Sequence, residues 1–327
     1  MHLPTRDDVR KAYQRIHEQV IRTPLVHSEA LSTLSNAQVY LKLETMQKTG
    51  AFKYRGALNF VSAQSQPCKG VVAASSGNHA LGIALACKNR GLLATVVMPV
   101  TSPLIKQAKA RSYGARVILH GKVYDEAKDH AEKLAKQNGL LFAPSFDHSL
   151  IIAGQGTIGW ELQEQIPQAD TILMPVGGGG LLAGLMLAYP PPMPFVGVQA
   201  QGAASMVSSL QTNEIQSLKG ADTIADGIAT LRPGVLNFQL VKNHQGEVVV
   251  VRDEEIKQGM TLLLGEGIVA EPAAAAPVAA LLGGKVAVRG KTVVLIITGR
   301  NVSAPLLEET AKEWAREQAS SLESYPC

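Results

Sequence analysis

The feature that most restricts this chain is the alternation, from Val71 onward, of short uninterrupted apolar runs with longer segments of helical character. Val71–Ala74, Ala94–Met98, Arg116–His120, Ile172–Val176, Phe195–Gln199 and Thr292–Thr298 read as strands, with an earlier one at Val39–Leu43. Strands that are apolar throughout, and do not alternate apolar with polar, are covered on both faces. That is the signature of parallel sheets flanked by helices. The helices expected between them are Asn78–Asn89 (stopped by Gly91), one opened by Ser102 and Pro103 and ending at Gly114, Tyr124–Asn138 (closed by Gly139), Leu181–Ala188, Asp253–Glu266 and Ala273–Leu282. A first helix is expected over Asp7–Val20, with Val9, Tyr13, Ile16 and Val20 on one face. The length of 327 residues suits two moderate domains or one large α/β domain.

Composition narrows the partners. The net charge is only +4 and no basic block stands out, which argues against nucleic acid. No apolar run reaches the roughly 18 residues of a membrane span, and the polar segment Met1–Arg10 does not read as a signal peptide. Cys68, Cys87 and Cys327 are far apart, with neither disulfide nor zinc spacing, so a reducing cytoplasm is the expectation.

Ligands in such folds sit beyond the carboxyl ends of strands, and three loops follow strands there: Ser75–His79, Gly177–Gly180 and Gly299–Asn301. Gly177, Gly178, Gly179 and Gly180 let the backbone aim consecutive N–H groups at one point, and the next helix adds its positive end. This is a phosphate cradle that needs no Lys or Arg; the plainer reading is a flexible turn. Ser75, Ser76, Gly77, Asn78 and His79 supply two hydroxyls, a glycine, an amide and an imidazole in succession. An ordinary helix cap explains one of them but not all five. Lys53, between Phe52 and Tyr54, is either a surface charge or a desolvated amine whose lowered pKa suits Schiff-base chemistry.

Taken together, Lys48–Gly56 (KTGAFKYRG), Ser75–His79 (SSGNH), Ala153–Gly159 (AGQGTIG), Pro175–Gly184 (PVGGGGLLAG), Thr223–Gly227 (TIADG), Glu271–Pro272 and Thr298–Asn301 (TGRN) resemble the fold-type II pyridoxal 5'-phosphate (PLP) enzymes. Within that group they resemble the serine/threonine dehydratase and serine racemase family. The resemblance covers nearly the whole chain. It implies an α/β fold like that of the tryptophan synthase β subunit, with two domains of parallel or mixed twisted sheets flanked by helices. Residues 1–50 with 147–327 form the large PLP-binding domain and 51–146 a small mobile one, the cofactor lying in the cleft between them.

By the same resemblance Lys53 carries the cofactor and is the general base, Phe52 and Gly227 flank its ring, and Gly177–Gly180 hold its phosphate. Asn78 meets its phenolic oxygen and Thr298 its pyridine nitrogen. Ser75, Ser76, Gly77, Asn78 and His79 embrace the substrate carboxylate. The implied reaction is β-elimination of water from a small β-hydroxy amino acid of the L-threonine/L-serine type, giving a 2-keto acid and ammonia, in a homo-oligomer, a dimer by resemblance. Ser76 also matches the acid/base proposed on the face opposite Lys53 in serine racemases, so racemase or mixed activity is an alternative. β-Replacement and a non-catalytic metabolite-binding protein are others.

Three positions depart from the family pattern. Ala51 stands where a serine is usual. Arg300 replaces a small residue, and either binds a second acidic group of the substrate or is a surface arginine. The stretch Val198–Ser205, where relatives place metal-binding carboxylates, has Gln199 and Ser205 at those places and no Asp or Glu. No metal is therefore expected.

Overall fold

The computed structural model describes residues 3–64, 68–190 and 192–323, with side chains as far as residue 316. Cys327 and the first two residues, which entered the sequence reading, lie outside the described residues.

Ten strands form two sheets among these residues. In chain order the strands are β1 (Leu25–His27), β2 (Gln38–Leu43), β3 (Val71–Ala74), β4 (Ala94–Met98), β5 (Ala115–Leu119), β6 (Leu141–Phe142), β7 (Thr171–Pro175), β8 (Phe195–Ala200), β9 (Glu247–Val251) and β10 (Thr292–Ile297). The larger sheet has the order β1-β2-β10-β7-β8-β9 and the smaller β5-β4-β3-β6. Every pairing is parallel except β1 with β2. The central strands β3, β7 and β8 are buried at every position, which is why they read as unbroken apolar runs.

The helices are α1 (Arg6–Ile16), α2 (Glu29–Ser35), α3 (Lys53–Ser62), α4 (Asn78–Asn89), α5 (Leu104–Ser112), α6 (Tyr124–Asn138), α7 (Ser149–Gln165), α8 (Gly180–Ala188), α9 (Ser205–Thr212), α10 (Val235–Asn243), α11 (Asp253–Gly265), α12 (Pro272–Leu282) and α13 (Ala304–Glu323). Most element ends fall within one or two residues of expectation, and two helices differ in more than that. α1 stops at Ile16 and the chain turns before Val20, which is buried all the same; its start is fixed by a capping box of Thr5 and Asp8. Ser102 does not cap α5: Pro103 occupies the cap position and no side chain bonds to the first turn, while the Gln107 side chain donates back to the Ser102 carbonyl.

Glycines set how closely the helices approach α7, which is buried along most of its length. A Cβ on Gly154 would lie 2.6 Å from the Gly56 Cα of α3, and one on Gly184 would lie 2.5 Å from the Ile152 carbonyl. The AGQGTIG and KYRG segments therefore allow α3 and α8 to press onto α7. Next to that contact, charged side chains are sealed in. Arg55 bonds to Glu44 (2.8 Å) and Glu161 (2.7 Å), and Lys42 to Glu161 (2.5 Å), with all four side chains at most 1% exposed.

Candidate active site

The last strand places Lys53. The Phe52 N–H donates to the Thr298 carbonyl at 3.0 Å, the Arg300 N–H to the Gly50 carbonyl at 2.9 Å, and Ala51 and Gly299 form an antiparallel bridge. Residues 50–52 thus run along the loop after β10, and Lys53 opens α3 beside it. Lys53 Nζ donates to the Ser145 carbonyl at 2.9 Å and lies 5.3 Å from the Phe52 ring centre. It forms no ion pair among the described residues. Burial brings its pKa down to about 8, opposed by the charge of Glu271.

The next residue of the Ser145 loop links this amine to the glycines. A Cβ on Gly178 would collide with the Phe146 ring, and one on Gly180 would lie 3.1 Å from the Phe146 carbonyl. Gly179 has φ +93°, and a Cβ there would be 2.6 Å from Met206 Cε. One on Gly177 would be 2.7 Å from Thr230 Oγ1. Glycine is thus required at the cradle itself, where α8 begins with its unpaired N–H groups. Asn237 Nδ2 (2.8 Å) and the Gly234 N–H (3.0 Å) both donate to the Gly178 carbonyl, so the loop is held from behind. The cradle, the desolvated amine and the neutral Thr298, 2% exposed, fit a phosphorylated aldehyde cofactor.

The 75–79 loop reaches the same place from the smaller sheet. No side chain caps α4; instead Ser75 Oγ accepts from the Gly77 N–H. Asn78 Nδ2 donates to Glu271 Oε1 (2.7 Å), and its Oδ1 accepts from Asn301 Nδ2 (2.5 Å). Ser76 and Gly77 are half-buried. His79 is enclosed, with its Nε2 against the Ala143 carbonyl, and burial takes its pKa down to about 3, so it is neutral at physiological pH. Gly227 lies in the short 3-10 turn Asp226–Ile228; a Cβ there would be 3.0 Å from Ala273 and 3.8 Å from Glu271 Oε1.

The family model for the pyridoxal-phosphate dependent enzymes matches residues 16–299. The chain belongs to that family. An L-threonine ammonia-lyase of Thermotoga maritima is 42% identical over 310 residues, covering 93% of this chain and 77% of the relative. Among solved structures, maize serine racemase superposes with a TM-score of 0.90 at 31% identity (97% of this chain, 100% of that one). The processed form of threonine deaminase isoform 2 from Solanum lycopersicum does so with 0.88 at 34% (94% and 90%). PLP is the cofactor of the family, and the fold is the α/β architecture of its members, with two sheets flanked by helices.

Within this frame, Lys53, the glycine loop, Thr298 and the 75–79 loop converge on one place. Four further residues there received no role from sequence. Ser145 and Phe146 join Lys53 to the cradle, and Glu271 and Asn301 hold Asn78. Glu271 and Asn301 stood inside recognised motifs without a function; the Ser145–Phe146 loop carried no signal.

The departures are also placed. Ala51 is buried against Gly299, Arg300 is exposed with its side chain over Gly50, and Gln199 Oε1 accepts from the Met206 (2.9 Å) and Val207 (3.0 Å) N–H groups. Ser205 Oγ donates to the Thr230 carbonyl at 3.0 Å. No helix among the described residues is long and apolar enough to cross a membrane.

Proposed function

We propose that this PLP-dependent enzyme eliminates water from a small L-β-hydroxy amino acid, threonine or serine, leaving an enamine that tautomerises and takes water back by hydrolysis to give a 2-keto acid and ammonia. The observation that carries the reading is Lys53: an amine without an ion-pair partner among the described residues, held near pKa 8, lying between the glycine cradle and the 75–79 loop. The similarity to an L-threonine ammonia-lyase at 42% identity supports the substrate class.

In this reading Lys53 Nζ carries the cofactor between turnovers and takes the substrate Cα proton when released from it. Bound PLP supplies the electron sink for the negative charge left at Cα. Gly177–Gly180 hold its phosphate with backbone N–H groups, and Phe52 and Gly227 flank its ring. Thr298 offers the ring nitrogen a hydroxyl in place of a carboxylate, and Asn78 meets the phenolic oxygen. Ser75, Ser76, Gly77, Asn78 and His79 embrace the substrate carboxylate, the His79 ring itself being turned to the Ala143 carbonyl. Residues 51–146 act as a small domain that moves against 1–50 and 147–327 to exclude water. The protein works as a cytoplasmic homo-oligomer.

Borohydride reduction followed by peptide mapping tests the assignment, with label expected on Lys53. Ammonia and keto acid should form from L-threonine or L-serine. Label on another lysine, or conversion to the opposite enantiomer without ammonia, overturns the dehydratase reading.

A further inference from the structure

Glu271 occupies the N-cap position of α12, directly before Pro272, yet its side chain makes no capping bond to its own helix. It is only 5% exposed, and Oε1 accepts from Asn78 Nδ2 at 2.7 Å. Its surroundings are shaped to admit it. A Cβ on Gly299 would lie 2.5 Å from Oε1, so the carboxyl occupies space that only glycine leaves open. Asn78 is gripped on its other atom by Asn301, whose Nδ2 also donates to the Thr49 carbonyl (3.0 Å) and whose Oδ1 accepts from Lys109 Nζ (2.5 Å). An Asn side chain has two N–H donors and one oxygen. Here the oxygen and one N–H are committed, and a single N–H is left.

We propose that Glu271 is a positioning residue for the reaction, fixing the Asn78 amide so that its second Nδ2 hydrogen is presented to the phenolic oxygen of the cofactor. This rests on the reading in which Asn78 meets that oxygen. A buried carboxyl is costly to keep without a cationic partner, and Glu271 has none within bonding distance among the described residues. Its helix does not use it as a cap, and Asn78 does. The same bond ties the loop after β3, in the smaller sheet, to α12 beside the larger one. Glu271 therefore acts on the cofactor's orientation and on the seating of the 75–79 loop together.

Several charged groups face Glu271. They are Asp226 in the 3-10 turn, paired with Lys106 of α5, then Lys109 of α5 with Arg300 near it, and Lys53 on α3. Burial, with a smaller push from Asp226, raises the Glu271 pKa to about 7, against the pull of Asn78, the Asn301 N–H and Lys106.

The test uses wild type, Glu271→Gln and Glu271→Ala, each stripped of cofactor and titrated with PLP between pH 6 and pH 8. The readouts are dissociation constant and visible spectrum, with no substrate present. Leaving the Asn78 donor without an acceptor should weaken PLP binding in Glu271→Ala by about ten- to a hundredfold. Glu271→Gln keeps an oxygen for Asn78, so its affinity at pH 6 should stay close to wild type. The component of the wild-type spectral response centred near pH 7 should be missing from it. A purely structural tie would lower the melting temperature of the variants but leave affinity and pH response alone.

Matching affinities and superposable pH responses in all three proteins overturn the proposal. If Glu271→Ala does not fold, the Glu271→Gln profile decides by itself, and identity with wild type is the refuting result. A wild type that binds PLP through a lysine other than Lys53 sinks the underlying reading as well. One that binds through Lys53 while the variants match it sinks this inference alone.

Discussion

Lys53 and Arg55 lie two residues apart at the start of α3, and both cations are taken out of water, yet their surroundings differ in kind. Arg55 has Glu44 and Glu161 in direct contact, with Lys42 completing a closed group of two cations and two anions. Burial by itself would lower the Arg55 pKa, but its two carboxylates reverse the effect and drive it upward. The Glu44 carboxyl, which burial pushes up, is carried below its ordinary value by Arg55. Lys53 has only a carbonyl, and the nearest acid it senses, Glu271, is itself pushed toward neutrality. Arg55 and Glu44 are held charged by their pairing, while Lys42, with a single carboxylate in contact, is still drawn below its ordinary value by burial. Unpaired charges approach neutrality and become available to exchange protons. The same short helix carries one of each.

The largest expected effect breaks the reactive half. Lys53→Ala should lower keto-acid production by about 10²–10⁴-fold or more, the range lost with a general base, and the apoprotein should melt no lower than wild type. A drop of several degrees would show that Lys53 is a structural cation like Arg55.

Arg55→Met attacks the paired half and should do the reverse. It strands two buried carboxylates with Lys42 alone, at a cost of about 3–5 kcal/mol. Thermal melting of the apoprotein should record this, and adding Glu44→Gln to the same chain should recover part of it. A variant as stable as wild type would mean that the group is not the closed network its distances describe.

These two halves were unequally visible in the sequence. The strands were legible because burial on both faces leaves unbroken apolar runs, as in Val71–Ala74 and Ala94–Met98, which the structure reproduces residue for residue. α7 was not, because a helix enclosed on nearly all sides loses the 3.6-residue period, and Lys53–Ser62 of α3, short and without a capping side chain, read as a motif without a shape. Gly177–Gly180 and Lys53 announced themselves by composition and context. Glu271 stood in a recognised motif, but its role did not show, since a glutamate before a proline and four alanines looks like any helix start. Its significance lies in Asn78, which is distant in sequence and brought near by the loops after β3 and β10. The partners of Arg55 are equally non-local, so the paired and unpaired cations are indistinguishable until the chain is folded.

A smaller effect sharpens the comparison through pH. Glu271 is raised from 4.5 to about 7 in the folded chain, so the native state binds more protons than the unfolded one between those values. Its contribution to stability is therefore fully present below about pH 4.5 and is lost as pH rises toward 7, a total of about 3 kcal/mol. Apoprotein stability measured by urea unfolding from pH 5 to pH 7.5 should carry this downward component, and Glu271→Gln should remove it. Glu44, lowered by its pairing with Arg55, has the opposite sign: its contribution is present above its ordinary value and is lost on acidification. If Glu271→Gln leaves the slope unchanged, the carboxyl is not the titrating group.

The smallest expected effect is none at all, and it concerns a third way of filling a polar position. At the two positions where the family resemblance led one to expect carboxylates for a divalent cation, this chain has Gln199 and Ser205. Neither oxygen is idle. Gln199 Oε1 accepts two backbone N–H groups at the start of α9, and Ser205 Oγ donates to the Thr230 carbonyl. An amide oxygen aimed at a helix N-terminus satisfies two of its free N–H groups without bringing in a charge. The consequence reaches the cofactor, because Met206, held by Gln199 through its N–H, packs beside Gly179 of the cradle. A hard cation needs anionic oxygens to offset the loss of its water, and these two supply none. Melting temperature and turnover should therefore be the same in EDTA and in added magnesium. Gln199→Ala should lower PLP affinity by releasing Met206, with no rescue by magnesium. A several-fold loss of activity in EDTA, restored by magnesium or calcium, would show that a cation is bound through other ligands.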